Sequence, residues 1–92
     1  MIVHKETYYR WIEQRGVGSR DVVASSPDSY ISYLNSVSDL IGKDISPSIL
    51  ASGRDIESIA DEISGQRSQK TINNYKSAMR QYVAMVQAGI VK

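Results

Sequence analysis

One unbroken helical pattern runs from Ser68 to Gly89, and it constrains the fold more than any other feature of the chain. Ser68 is placed to cap the free amides of a helix start. Ile72, Tyr75, Met79, Tyr82, Val83 and Val86 then fall on one stripe, and Gly89 lies near the end. About twenty residues at ~1.5 Å each make a rod of roughly 30 Å, the diameter of a small domain. In a chain of 92 residues such a rod must cross the whole domain, with everything else packed around it.

Helical spacing also fills most of the remaining sequence. Tyr8, Trp11 and Ile12 stand at i, i+3, i+4, and Gly16 is placed to end that helix in a left-handed conformation. The stretch from Val17 to Ser25, with Val22, Val23 and Ala24, has room for one helical turn. Ser26, Pro27 and Asp28 then give the clearest start signal, a capping side chain, a ring suited to the first position and an acid at the positive end of the dipole. Tyr30, Tyr33, Leu34, Val37, Leu40 and Ile41 form its stripe, and Gly42 stops it. Ser46-Pro47 repeats the start signal and predicts a short helix carrying Ile49 and Leu50. Ser52 and Asp55 have capping-box spacing, with Asp in place of the usual Glu or Gln, ahead of a stripe of Ile56, Ile59, Ala60 and Ile63 that Gly65 ends. No segment alternates with the period of two that marks a half-buried strand. The expected fold is all-α, one domain over 1–92, a compact bundle of four main helices plus one or two short ones.

The aromatic residues read as core. Tyr30, Tyr33, Tyr75 and Tyr82 fall at core spacing on two helices and are expected to pack across one another with their hydroxyls at the rim. Tyr8 and Tyr9 are consecutive, so only one of them faces inward. Trp11 is expected to be the central plug that pins the first helix.

Several classes of chemistry lack their residues. There is no cysteine, hence neither a disulfide framework nor a thiolate metal site. The single histidine, His4, sits by a terminus expected to fray, without a second imidazole or an acid pair at ligand spacing. No G-x-S-x-G elbow and no Ser/His/Asp set is present, and Gly16-Val17-Gly18 lacks the preceding strand and third glycine of a phosphate loop. Asp61 and Glu62 are adjacent and so point to different helix faces. No apolar run reaches the roughly 18 residues needed to span a bilayer, and Met-Ile-Val-His-Lys-Glu lacks the features of a signal peptide. These readings lead us to expect a soluble, cytoplasmic protein that is not an enzyme, with no cofactor, no metal, no small-molecule substrate and no membrane partner.

Charge is the feature left to carry a function. The net charge is only +1, but residues 1–20 sum to +2, residues 21–66 to −6 and residues 67–92 to +5. Opposite the apolar stripe of the last helix lie Lys70, Asn73, Asn74, Lys76, Ser77, Arg80 and Gln81, with Arg67, Ser68 and Gln69 at its start. Lysine and arginine supply phosphate contacts, and Asn, Gln and Arg read base edges in a major groove wide enough for a helix. A solvated helix face without acids would carry the same pattern.

Trp11-Ile12-Glu13-Gln14-Arg15-Gly16, then Ser25-Ser26-Pro27-Asp28-Ser29-Tyr30-Ile31-Ser32-Tyr33-Leu34, resembles the opening of the core-binding domain of phage-type tyrosine recombinases (integrases). Ile45-Ser46-Pro47 and Asp55-Ile56 are similar to that family's connector and third helix, and the best match is Ser68 through Tyr82 to its last helix. The resemblance covers most of the chain, through motifs that are helix-packing patterns. It implies a small orthogonal, SAM-like bundle that grips DNA from one side, with the starts of the second and last helices toward the major groove. Carried over, those positions are Ser25, Ser26 and Ser29, then Arg67, Lys70, Asn73, Asn74 and Ser77. The Arg/His/Arg/Tyr machinery of strand exchange falls outside the resemblance, so none of the six tyrosines is expected to be a nucleophile.

The expectation is a non-catalytic module for duplex DNA, an accessory of a mobile-element or other DNA-processing system. It would be held by Arg67, Lys70, Lys76 and Arg80, with any specificity from Gln69, Asn73 and Asn74, and it calls for the acidic middle to lie away from this face. Asp28, near the presumed groove-facing start of the second helix, works against it. The alternative is a protein-interaction or homodimer module that joins the acidic middle, Asp55, Glu57, Asp61 and Glu62, to a basic helix, and an exposed cluster of Ile90, Val91 and Val17 would favour that reading.

Overall fold

A computed structural model describes residues 1–15 and 27–91. Their regular structure consists of four helices: α1 (Lys5–Arg15), α2 (Pro27–Ile41), α3 (Gly53–Ile63) and α4 (Gln69–Gln87). No strand forms among the described residues, where β pairing is limited to two isolated bridges, Ile2 with Ile45 and Ser64 with Arg67. The chain is all-helical there, as the apolar periodicity predicts. The expected helix end at Gly16, the stretch Val17–Ser25 and the Ser26 cap lie outside the described residues.

α4 is the axis of the fold. Its 19 residues span about 29 Å, close to the longest molecular extent of 33 Å. It packs against each of the other three helices, and so does α2, whereas α1 and α3 share no helix–helix contact. α2 and α4 are thus the central pair and α1 and α3 flank them. The buried face of α4 is wider than its predicted stripe, because neighbours surround it on three sides. Ala78 and Met85 are fully buried beside Ile72, Tyr75, Met79, Tyr82 and Val83, while Val86 is half-buried. One apolar cluster joins all four helices, with Ile2 from before α1 and Ile45 and Leu50 from the segment between α2 and α3.

Local sequence accounts for most element boundaries. Gly42 ends α2 at φ +68°, and its N–H and that of Lys43 both donate to the Ser38 carbonyl (2.9 and 3.2 Å), which satisfies an otherwise orphaned helix end. Ser52 caps α3 by accepting from the Asp55 amide at 3.4 Å. Asp55 returns the interaction to the amide of Ala51 (2.9 Å), one residue before the cap. Ser68 caps α4 through the Thr71 amide at 3.3 Å.

Three expectations need correction. The Ser46-Pro47 signal yields a turn, not a short helix. Ile49 and Leu50 both donate to the Ser46 carbonyl (3.1 and 2.9 Å), but Ile45 is held extended before it and the Ser52 cap starts a new helix behind it, so nothing propagates. The N-terminus does not fray: Ile2 is buried, Val3 donates to the Ile45 carbonyl (2.7 Å) and Ile45 to that of Met1 (2.9 Å). Finally, Tyr8 rather than Trp11 plugs the core under α1.

Tyr8 and Ile12, four apart, face inward, and Tyr8 is fully buried against Tyr82 with ring centroids 5.6 Å apart. Trp11 lies one position round the helix, half-buried, where its indole N–H reaches the Gln81 carbonyl oxygen Oε1 at 3.3 Å. The tyrosines of α2 and α4 form a second group, with Tyr33 next to Tyr30 (6.2 Å) and Tyr75 (6.0 Å). Tyr82 belongs instead with Tyr8, and its hydroxyl donates to the Val3 carbonyl at 2.8 Å.

Candidate nucleic-acid interface

The outer face of α4 follows from its helical register. Gln69, Asn73, Ser77 and Arg80 succeed one another at i+3 or i+4, so they line one ridge. Gln81 on one side of the ridge meets Trp11 of α1, and Lys76 on the other meets Glu57 of α3. The polar ridge is therefore bordered by α1 and α3. Gln69, Lys70, Asn73 and Arg80 are exposed, as is Arg67 just before the helix, while Asn74, Lys76 and Ser77 are half-buried. α4 itself contains no carboxylate.

Side chains along the ridge order one another. Gln69 Nε2 donates to Asn73 Oδ1 at 2.9 Å, and Arg80 Nη2 to Ser77 Oγ at 2.9 Å. Arg67 Nη1 donates to the Gln66 carbonyl at 2.7 Å. These contacts hold two amides and two guanidinium groups partly in place, which lowers the entropy lost when a ligand docks. Of the positions carried over for the second helix, Ser29 sits half-buried in the first turn of α2, and Ser25 and Ser26 lie outside the described residues.

One site residue is not as the sequence reading has it. Lys76 Nζ lies 3.1 Å from Glu57 Oε2 and 3.4 Å from Oε1. The acidic middle of the chain thus reaches the border of the basic face instead of lying wholly away from it. The cause is the connection between α3 and α4. A short turn at Gly65, φ +89°, folds them into an antiparallel pair, as the two long-range contacts Lys76–Glu57 and Gln87 Nε2 to the Ala51 carbonyl (3.2 Å) show by their reversed order. Glu57 lies six residues before the end of α3 and Lys76 seven after the start of α4, so once the two helices are antiparallel the pair falls opposite, which the sequence alone does not show.

Among the described residues no group of three His, Cys, Asp or Glu is placed to hold a metal ion, and no helix is long and apolar enough to cross a membrane. Of the apolar patch in the alternative reading, Ile90 and Val91 fall among the described residues. Ile90 is 55% exposed, but Val91 is packed into the core at 8%, and Val17 lies outside the described residues. No family model, curated protein or solved structure matches the chain.

Proposed function

We propose that this protein is a non-catalytic module that holds duplex DNA against the outer face of α4. The observation that carries the reading is the exposed, carboxylate-free ridge of α4, where Gln69, Lys70, Asn73 and Arg80 follow Arg67. A helix of this kind fits a B-form major groove about 12 Å wide. Arg67, Lys70 and Arg80 serve as phosphate contacts, and Gln69 and Asn73 are placed for base edges. Asn74 and Ser77, half-buried, contribute less. With so few cations the affinity is modest and falls steeply with salt.

The likeness to recombinase core-binding domains supports the same reading, and with it a SAM-like architecture and an accessory role in a mobile-element or DNA-processing system of the cytoplasm. Docking of a protein partner or second copy through the acidic middle has less support, because Val91, whose exposure would have favoured it, is buried. An NMR titration of labelled protein with a short duplex tests the proposal. Amide shifts should concentrate on residues 67–81, and shifts confined to α2 or α3 would refute it.

A further inference from the structure

The Lys76–Glu57 pair has a consequence for the DNA face. Lys76 is a cation of α4 that pairs with a carboxylate of α3. Its side chain is 26% exposed, and its ammonium spans both oxygens of Glu57, whose own side chain is 65% exposed. The lysine is held while the carboxylate remains open to solvent, so the pair can be opened without unpacking the core. A carboxylate and a phosphate oxygen offer an ammonium group the same kind of charge-assisted acceptor. We infer that Glu57 is a built-in competitor for the DNA phosphate that Lys76 would otherwise hold, and that it limits the affinity of the α4 face.

This rests on reading α4 as the DNA-contacting helix. In the resting protein Lys76 adds no phosphate contact, because taking one up requires giving up Glu57. Removing the carboxylate charge frees the lysine for one further contact, and each phosphate contact on B-DNA steepens the salt dependence by about 0.9 in log–log slope.

The test is fluorescence anisotropy of a short labelled duplex over a salt series. It compares the wild type, Glu57→Gln, Lys76→Ala and the double variant, each shown by circular dichroism melting to be folded. Glu57→Gln is expected to bind several-fold tighter at low salt, with a slope steeper by about one contact. Lys76→Ala alone should change little, and in the double variant the gain should vanish. Unchanged binding in Glu57→Gln, with the wild type binding well, overturns the competitor role and leaves the DNA reading standing. A gain that survives in the double variant also overturns it, since Glu57 would then act by general repulsion. Failure of both wild type and Glu57→Gln to bind at low salt overturns the DNA reading and this inference together.

Discussion

The hydroxyl of Tyr8 in α1 donates to the backbone carbonyl of Ala78 in α4 at 2.9 Å, joining residues 70 apart in the chain. Both residues are fully buried, so the first helix is tied to the last at the centre of the molecule. Tyr8→Phe should cost about 0.5–1.5 kcal/mol from the lost hydrogen bond. Tyr8→Ala, which also leaves a cavity beside Tyr82, should cost about 3–5 kcal/mol. Urea denaturation followed by circular dichroism measures both. If Trp11→Ala proved more damaging than Tyr8→Ala, the assignment of the plug would be wrong.

Tyr82 makes stability depend on alkaline pH. Burial raises its pKa from 10.0 to about 12, since the phenolate is poorly solvated where the ring lies. The folded value is above the unfolded one, so the contribution is complete below about pH 10. It is then lost as pH rises from about 10 to 12, where the unfolded chain ionises first. Tyr82→Phe should be less stable at neutral pH, having lost the bond to Val3, and should decline less over that alkaline window. Parallel decline of the two proteins would contradict the account.

Two backbone positions should respond in opposite ways to a change of side chain. Gly42 adopts φ +68° with open space around the position a Cβ would take, so Gly42→Ala costs only conformational strain, about 1–2 kcal/mol. His4 adopts φ +63° while exposed and carrying a full side chain. Its carbonyl accepts the first bond of α1, from Tyr8, at 2.9 Å. His4→Asn, a residue that tolerates this region better, should therefore stabilise by a few tenths of a kcal/mol up to about 1. Thermal melting decides both, and a destabilising His4→Asn would show that the imidazole makes a contribution the backbone argument misses.

Much of the fold was legible because capping residues and apolar stripes obey local rules. Ser52, Ser68, Gly42 and Gly65 stand where sequence reading put them, and Ile56, Ile59, Ala60 and Ile63 are all buried. What stayed hidden depends on tertiary neighbours. Tyr8 and Trp11 are both aromatic and both at helical spacing, and only the position of α4 decides which of them goes inside. The N-terminal residues carry no pattern that foretells their pairing with Ile45. The exposed α4 ridge was readable as the complement of the buried stripe, but the approach of Glu57 to Lys76 required the antiparallel register of α3 and α4.

Equilibrium binding to a short duplex across a salt series, for the wild type and a Lys70→Ala/Arg80→Ala variant, puts the proposed DNA contact of the outer α4 face to the test. Both side chains are exposed, so the variant should keep its stability to within about 0.5 kcal/mol. Wild-type binding should weaken steeply with salt, and the variant should show a large loss of affinity with a log–log slope shallower by about two. Absence of wild-type binding at low salt and high protein concentration, or equal binding by the variant, would rule out α4 as the DNA-holding helix.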